Sequence, residues 1–429
     1  MMKKTCEYNS RFNQFFSSGR HQYDITPSSS EYEGLKGYIV QYREGDLLVG
    51  GILDAHRRGS DGHCGDVTED GIQGIETINM VVEMINADPG ILPGVQVGSL
   101  IIDSCDMSTH ALEGVVHDIL PFFTTMKTNQ TSEQPIFAGV AGAFASGVSI
   151  QTTSLLQVFK IPQVSPWSTN SWLSDKQYFP YFFRTVPSDR HQARAMVNVI
   201  VQRGWNYFSV VYKDDTYGIQ GFRELEIAAL EQNICIAKAI SVIERASKDV
   251  NNDIIEELLL VRNARVVIVF TNRYQAEELM LAAHRNQESR GHFLWIGSDG
   301  WAGDIPLMNT DADYGETLYG SIAFLPKAKP VEALRARISN LTLKHYLLST
   351  GLNPINPWLP EYLAWRLNCS LNDSSNNIDG KPICEPSSHV DYNQLHILSI
   401  MQVKQTIAYE DARRVTCRFN VAELSILEN

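Results

Sequence analysis

The chain lacks any run of about 18 uninterrupted apolar residues, so no segment of it reads as a membrane-spanning helix. Its start, MMKKTCEYNSRFNQFFSSGRHQYD, carries lysines but not the apolar stretch of about 7 to 15 residues that a secretory signal requires. Positive charge is also in short supply. Lys and Arg number 36 against 49 acidic residues, a net charge of −13 that opposes any surface built to follow a nucleic-acid backbone. No nucleic acid is expected as a partner.

Signatures of catalysis and cofactor chemistry are missing too. Ser146 stands outside any G-x-S-x-G elbow, and the histidines form no H-E-x-x-H pattern. His110 and His117 share a helix face, but no carboxylate completes a metal set with them. The stretch Gly139-Val-Ala-Gly142-Ala-Phe-Ala-Ser-Gly147 looks like a phosphate loop, yet Val148 occupies the position where such a loop needs lysine. The expectation is a protein that is not an enzyme and holds neither cofactor nor metal.

What the chain does contain is length enough for two cores: 429 residues with 44% apolar content. Seven cysteines lie too far apart for C-x-x-C zinc spacing, while Cys369 and Cys384 bracket a polar insert as a loop-closing disulfide does. Four N-glycosylation triplets, at Asn129, Asn340, Asn368 and Asn372, fall in polar stretches. Sequons and paired cysteines together favour a product of the secretory route. Without a signal or a spanning helix, the expectation is a secreted protein or a fragment of a longer one.

From Asp46 onward, apolar runs of strand length alternate with segments of helical period, the pattern of stacked βαβ units. Strands are expected at LLVGGIL, 95–103, 135–142, 162–167, 182–186, 207–213, 235–242, 264–270, 292–298 and 318–325. Helices are expected over 71–86, 111–123, 147–159, 191–202, 220–232, 253–263 and 274–286. The aperiodic stretch after Trp167 and a fresh start at Tyr207 place a crossing between two sheets near 186–190. Residues 1–45 read as a loosely attached arm, 46–188 as the first part of one lobe, 189–325 as a second lobe. Residues 326–429 read as a return segment with a Cys-bracketed loop, and the tail from Asn393 contains a helix-like stretch. The fold class is α/β.

Five residues end apolar runs: Ser146, Thr169, Asp189, Tyr217 and Asp299. Strand ends are where open α/β sheets collect ligands. Individually each has a plain structural explanation. Ser146 and Asp189 could cap helices, Thr169 could serve a turn and Tyr217 could lie on the surface. Asp299, after the apolar FLWIG, calls for something cationic to meet it. Together, hydroxyls on one lobe and two carboxylates with an aromatic on the other suit the zwitterion of an α-amino acid.

The strings IPQVSPWSTNSWLSD, FFRTVPSDRHQARAMVNVIVQRGWNYFSVVYKDDTYG and HFLWIGSDGWAGD resemble the ligand-binding domain of metabotropic glutamate receptors, class C G-protein-coupled receptors, over about 46–360. The resemblance implies a bilobal Venus-flytrap fold, like that of periplasmic binding proteins, in which two parallel-sheet lobes close about a hinge on an L-amino acid. It implies Ser146 and Thr169 at the α-carboxylate, and Thr169, Asp189 and Asp299 at the α-ammonium, with Tyr217 over the ligand. It also implies disulfides Cys64–Cys105 and Cys369–Cys384, leaving Cys235 to a cysteine-rich module beyond this sequence and assigning nothing to Cys6 and Cys417. Further implications are a homodimer through the first lobe, a place on the outer face of the plasma membrane, and a G protein reached only through a membrane domain that this chain lacks.

At several positions the chain departs from the family's glutamate-binding pattern. Gly74 stands for an arginine that holds the distal carboxylate, Asp304 for another arginine, and Trp167 for a serine. No counterpart of a distal lysine is found, and an acidic ligand would meet Asp304 and Asp70. The chain is similar to the divergent insect branch called mangetout. The ligand expected is an amino acid other than glutamate, with a basic or guanidino side chain matching Asp70 and Asp304. The competing readings are a truncated soluble decoy and the ectodomain of another flytrap receptor that binds a peptide.

Overall fold

The computed structural model describes residues 32–33, 39–59, 62–122, 135–301, 315–326, 328–342, 356–371, 381–385, 399–401 and 406–408. In chain order the first strands are β1 (Tyr32–Glu33), β2 (Ile39–Arg43), β3 (Leu47–Leu53), the short β4 (His56–Arg58) and β5 (Cys64–Val67), β6 (Val97–Asp103), β7 (Ile136–Gly142), β8 (Gln163–Ser165) and β9 (Phe182–Arg184). Seven of them form one sheet in the order β1-β2-β6-β3-β7-β8-β9. The pairs β3/β6, β3/β7, β7/β8 and β8/β9 are parallel, and β2 runs antiparallel against β6.

A second sheet starts at β10 (Tyr207–Lys213) and continues through β11 (Cys235–Val242), β12 (Val266–Phe270), β13 (Leu294–Gly297) and β14 (Ile322–Leu325). With β15 (Ala328–Pro330) and β16 (Ser399–Met401) pairing apart, β17 (Thr406–Ala408) closes this sheet in the order β11-β10-β12-β13-β14-β17. Only β17 is antiparallel to its neighbour. All five residues of β12, VVIVF, are buried, as a central strand covered by helices on both faces must be. Two clusters fill the faces of this sheet, one around Trp295, Val267 and Leu279, the other around Phe208, Ile268 and Phe270.

The helices lie close to their expected places: Glu69–Ala87, Ser146–Leu156, Asp189–Gln202, Thr216–Glu231, Lys248–Leu259 and Arg273–Arg285. The helix expected over 111–123 instead starts at Ser108 and passes into a π-helical turn, Val115–Ile119. The strand expected over 318–325 shortens to 322–325, preceded by one helical turn, Gly315–Leu318.

One expectation is corrected. Residues 39–43, assigned by their polarity to a loose arm, form β2 inside the first sheet, where Gln41 is buried by pairing with Asn79 at 2.5 Å. The tail after Asn393 contributes strands β16 and β17, and the rest of it, with the helix-like stretch expected there, lies outside the described residues.

The return segment packs on the first lobe. Trp358, Leu359, Tyr362 and Leu363 join Leu53, Ile72 and Ile75 in one cluster, and Arg337 reaches Glu76 (2.8 Å) and Glu83 (2.6 Å) on the helix Glu69–Ala87. Disulfides link Cys64 to Cys105 and Cys369 to Cys384. The first pins the β4–β5 hairpin to the loop after β6. That hairpin touches the second lobe, with the Arg57 guanidinium 5.5 Å from the Tyr274 ring centre and Arg245 donating to the Arg58 carbonyl. Cys235 is free and exposed.

Candidate functional site

Parallel strands that all point the same way bring their carboxyl ends to one edge, and the loops that follow carry the polar residues singled out above. Ser146 follows β7, Thr169 follows β8 and Asp189 follows β9, while Tyr217 follows β10 and Asp299 follows β13. Neither Ser146 nor Asp189 is a helix cap. The caps are Ala145, without a side-chain bond, and Ser188, whose hydroxyl accepts from Arg190 N. Both functional candidates are the first helical residue, which frees their side chains from the capping role.

Buried polar contacts join the segments that follow β7, β8 and β9. Asn170 N donates to Ser146 Oγ at 3.3 Å, and Asp189 N donates to the Thr169 carbonyl at 2.8 Å. The Arg184 guanidinium holds the Thr169 loop from behind through the carbonyls of Ser168 (3.2 Å) and Asn170 (2.8 Å). Ser146, Thr169 and Asp189 are all buried.

Asp189 and Asp299 meet through an intermediary that sequence reasoning did not single out. Gln192 Nε2 lies 3.3 Å from Asp189 Oδ1 and 2.8 Å from Asp299 Oδ1, and its Oε1 accepts from Asp299 N at 2.7 Å. Gln192 sits three residues beyond Asp189 on one helix face, a spacing that could have flagged it. Tyr217 completes the group by donating its hydroxyl to Asp299 Oδ1 at 2.7 Å, with Ser298 Oγ at 3.1 Å. Its ring lies against Phe270, centroids 4.8 Å apart.

The side-chain donors that reach Asp299 are a neutral amide, from Gln192, and a phenol, from Tyr217. Asp189 Oδ2 has no hydrogen-bond partner among the described residues. Burial, then the charge of Asp299, pushes the Asp189 carboxyl well above its ordinary range, against the opposing pull of Thr169, Arg184 and Gln192. Burial also raises Asp299, with Gln192 and Tyr217 resisting. The Tyr217 phenol is pushed far up by burial and by both carboxylates. Two carboxylates bridged by one glutamine amide leave a standing demand for positive charge.

The described residues that depart from the glutamate-binding pattern, Gly74 and Trp167, lie on the first lobe. Gly74 is buried, and a Cβ there would stand 2.7 Å from Phe144 Cζ. Phe144 in turn stacks on Trp167, centroids 4.9 Å apart. Asp70 lies half-buried in the first turn of the helix Glu69–Ala87, near enough to Tyr362 for its charge to contribute to that phenol's raised pKa, behind burial and Glu69. Asp304 lies outside the described residues, as do the sequons at Asn129 and Asn372. Asn340 and Asn368 are exposed.

The profile of the receptor family ligand binding region matches residues 75–398. The chain belongs to this family. Like other receptor ligand-binding regions it is a bilobal, periplasmic-binding-protein-like flytrap with a parallel sheet in each lobe. It is 33% identical over 361 residues to the metabotropic glutamate receptor of Drosophila melanogaster, covering 79% of this chain and 36% of that receptor. It is 34% identical over 346 residues to metabotropic glutamate receptor 4 of Macaca fascicularis, covering 77% of this chain and 36% of that one. This receptor ligand-binding region thus spans about a third of the length of those relatives. No helix among its described residues is long and apolar enough to cross a membrane.

Proposed function

We propose that the chain is the extracellular ligand-binding region of a metabotropic glutamate receptor-like receptor and closes on an L-α-amino acid. The observation that carries this reading is the buried, unpartnered Oδ2 of Asp189 beside Asp299. An ammonium group placed between the two carboxylates would meet both, replacing repulsion by charge-assisted hydrogen bonds. Ser146 and Thr169, with the backbone amides at the start of the helix Ser146–Leu156, would take the α-carboxylate. Closure would then be the output, because Ser146 and Thr169 belong to one lobe and Tyr217 and Asp299 to the other.

The ligand of this reading is not glutamate. Gly74 offers no cation to a distal carboxylate, and the space a side chain would need there is filled by Phe144. Asp70 and Asp304 favour a basic or guanidino side chain instead. Dimerisation through the first lobe is supported by exposed Val116 and Val158, on the packed helical segments that follow β6 and β7. Exposure of Asn340 and Asn368 fits glycan attachment. The test is calorimetry with a panel of L-amino acids against the protein and its Asp189→Asn variant. Binding that the variant weakens by about 2 kcal/mol or more is the expected result; tight glutamate binding, or binding unaffected by the substitution, overturns the reading.

A further inference from the structure

The β4–β5 hairpin and the end of β6 bring together four ligand-type side chains, none of them among the residues assigned to the amino acid. His56 and Cys64 lie on the hairpin, Asp103 and Cys105 at the carboxyl end of β6, and one ligand atom from each falls within 4.8 Å of the other three. No C-x-x-C spacing announces them, because the two cysteines stand 41 residues apart and meet only in the fold. In the oxidised protein the two sulfurs are bonded to each other. Opened, they become the soft half of a mixed ligand set.

The separations suit a tetrahedral ion. Zinc bonds of about 2.3 Å to sulfur and about 2.0 to 2.2 Å to nitrogen or oxygen set neighbouring ligand atoms about 3.3 to 3.8 Å apart. Asp103 Oδ2 already stands 3.3 Å from Cys105 Sγ. The cysteine Cα atoms are 5.2 Å apart, so rotation about the Cα–Cβ bonds parts the freed sulfurs to that range without moving the backbone. His56 Nδ1 and Asp103 Oδ2, 2.5 Å apart across a proton, have to separate by under about 1 Å to admit the ion.

The surroundings orient these ligands as a metal centre requires. Glu361 Oε2 lies 3.0 Å from His56 Nε2, so a proton held there leaves Nδ1 to the metal. Asp103 Oδ1 accepts from the amides of Cys105 (2.9 Å) and His56 (3.3 Å), which leaves Oδ2 to do the same. His110 Nδ1, 3.9 Å from Cys64 Sγ, is placed to donate to that sulfur once it is a thiolate.

We propose that Cys64, Cys105, His56 and Asp103 form a Zn²⁺ site in the protein whose Cys64–Cys105 disulfide has been reduced by a dithiol. The dithiol supplies two electrons and two protons, the S–S bond breaks, and the reductant leaves as its own cyclic disulfide. Zinc then bonds both sulfurs, His56 Nδ1 and Asp103 Oδ2, displacing the two thiol protons and the Nδ1 proton to solvent. Thiolate ligands exclude magnesium and calcium, and four protein ligands make the centre a structural one. Its effect is mechanical. The disulfide pins a hairpin that also reaches the second lobe, through Arg57 on Tyr274 and Arg245 on the Arg58 carbonyl, and zinc keeps the hairpin pinned while the covalent bond is open.

The experiment uses the full chain, reduced with a dithiol under argon and then freed of reductant, with Co²⁺ as the spectroscopic stand-in for Zn²⁺. Reduced wild-type protein is expected to develop the thiolate charge-transfer and visible bands of tetrahedral cobalt, which added Zn²⁺ bleaches; the oxidised protein develops neither. Reduced Cys64→Ser/Cys105→Ser is expected to lose these bands, and Cys369→Ser/Cys384→Ser to keep them. Competition with a chromophoric chelator should show Zn²⁺ held about 10-fold or more weaker by reduced His56→Gln. Because a serine variant can fail to fold, a second measurement uses the reduced wild-type protein alone: Zn²⁺ should protect Cys64 and Cys105 together from iodoacetamide, read by peptide mass spectrometry, and leave the exposed Cys235 reactive. Absence of the cobalt bands from the reduced wild-type protein overturns the site. So do bands that survive Cys64→Ser/Cys105→Ser, zinc affinity unchanged in His56→Gln, or alkylation of Cys64 and Cys105 that Zn²⁺ does not slow.

Discussion

Asp189 and Asp299 share a single amide donor, Gln192 Nε2, at 3.3 and 2.8 Å. The side chains that donate to Asp299, the Gln192 amide and the Tyr217 hydroxyl, are neutral and leave two carboxylates without a full positive charge between them, and Asp189 Oδ2 has no hydrogen-bond partner among the described residues. The pair is held in place rather than neutralised, a condition that favours ligand capture over stability.

Asp189→Asn is therefore expected to move stability and binding in opposite directions. Removing the charge of a buried carboxylate raised by its neighbour should increase the melting temperature of the ligand-free protein. The same change should weaken amino acid binding by about 2 kcal/mol or more, the scale of a lost charge-assisted hydrogen bond. Differential scanning calorimetry and titration calorimetry on the same preparation check both arms. A variant that loses stability and keeps its affinity would contradict the expectation.

Binding should also release protons. Both carboxyls have their pKa raised in the folded chain, so part of the pair's population carries a proton; an arriving ammonium favours the ionised form and expels it. The sign is fixed: affinity falls as pH drops through the raised pKa of the pair. Calorimetry in buffers of different ionisation enthalpy should show a net release of protons to the buffer on binding, and a zero or opposite buffer dependence would refute it.

His56 sets a separate pH dependence, of stability. Burial pulls its pKa down, but hydrogen bonds to Asp103 (2.5 Å) and Glu361 (3.0 Å) override this and raise it from 6.5 to about 9. A raised histidine contributes stability that is complete below pH 6.5 and disappears as pH climbs through 9. Since Asp103 ends β6 and Glu361 lies on the helix Leu359–Arg366 of the return segment, the imidazolium ties that segment to the first lobe. Melting temperature should fall between these limits in the wild-type protein, and the His56→Gln curve should be flatter there.

Gly74→Ala should destabilise the fold by about 1 to 2 kcal/mol, since its methyl carbon would meet Phe144 Cζ at 2.7 Å and force the ring off Trp167. Combining it with Phe144→Leu should relieve the clash, leaving the double variant at least as stable as Gly74→Ala. Chemical denaturation of the two singles and the double gives the coupling directly.

Much of the architecture was legible from sequence because period and burial agree in it. Runs such as VVIVF are buried on both faces, and their length and spacing announce a parallel sheet before any contact is known. The residues that end those runs could be named for the same reason. What escaped was set by tertiary partners. Gln41 hides in β2 only because Asn79 satisfies its amide, so a polar stretch reads as an arm until the helix opposite is in place. Gln192 looks like any helical surface residue until Asp299, 107 positions away, is folded against it. Phe144 lies in a small-residue turn, and nothing local reveals that its ring goes to the space beside Gly74.

The seam between the lobes has its own consequence. Its polar contacts include Asn170 Nδ2 on the Thr216 carbonyl (2.8 Å), Ser171 Oγ on Glu224 (2.6 Å), Gln220 on Ser171 (3.0 Å) and Asp189 N on the Thr169 carbonyl (2.8 Å). Polar groups of this sort exchange protein partners for water at nearly equal free energy, unlike apolar surfaces, which resist being wetted. On the proposed reading, swinging the halves apart would therefore be inexpensive, and an amino acid of modest affinity would carry enough binding energy to shift the balance between open and closed forms.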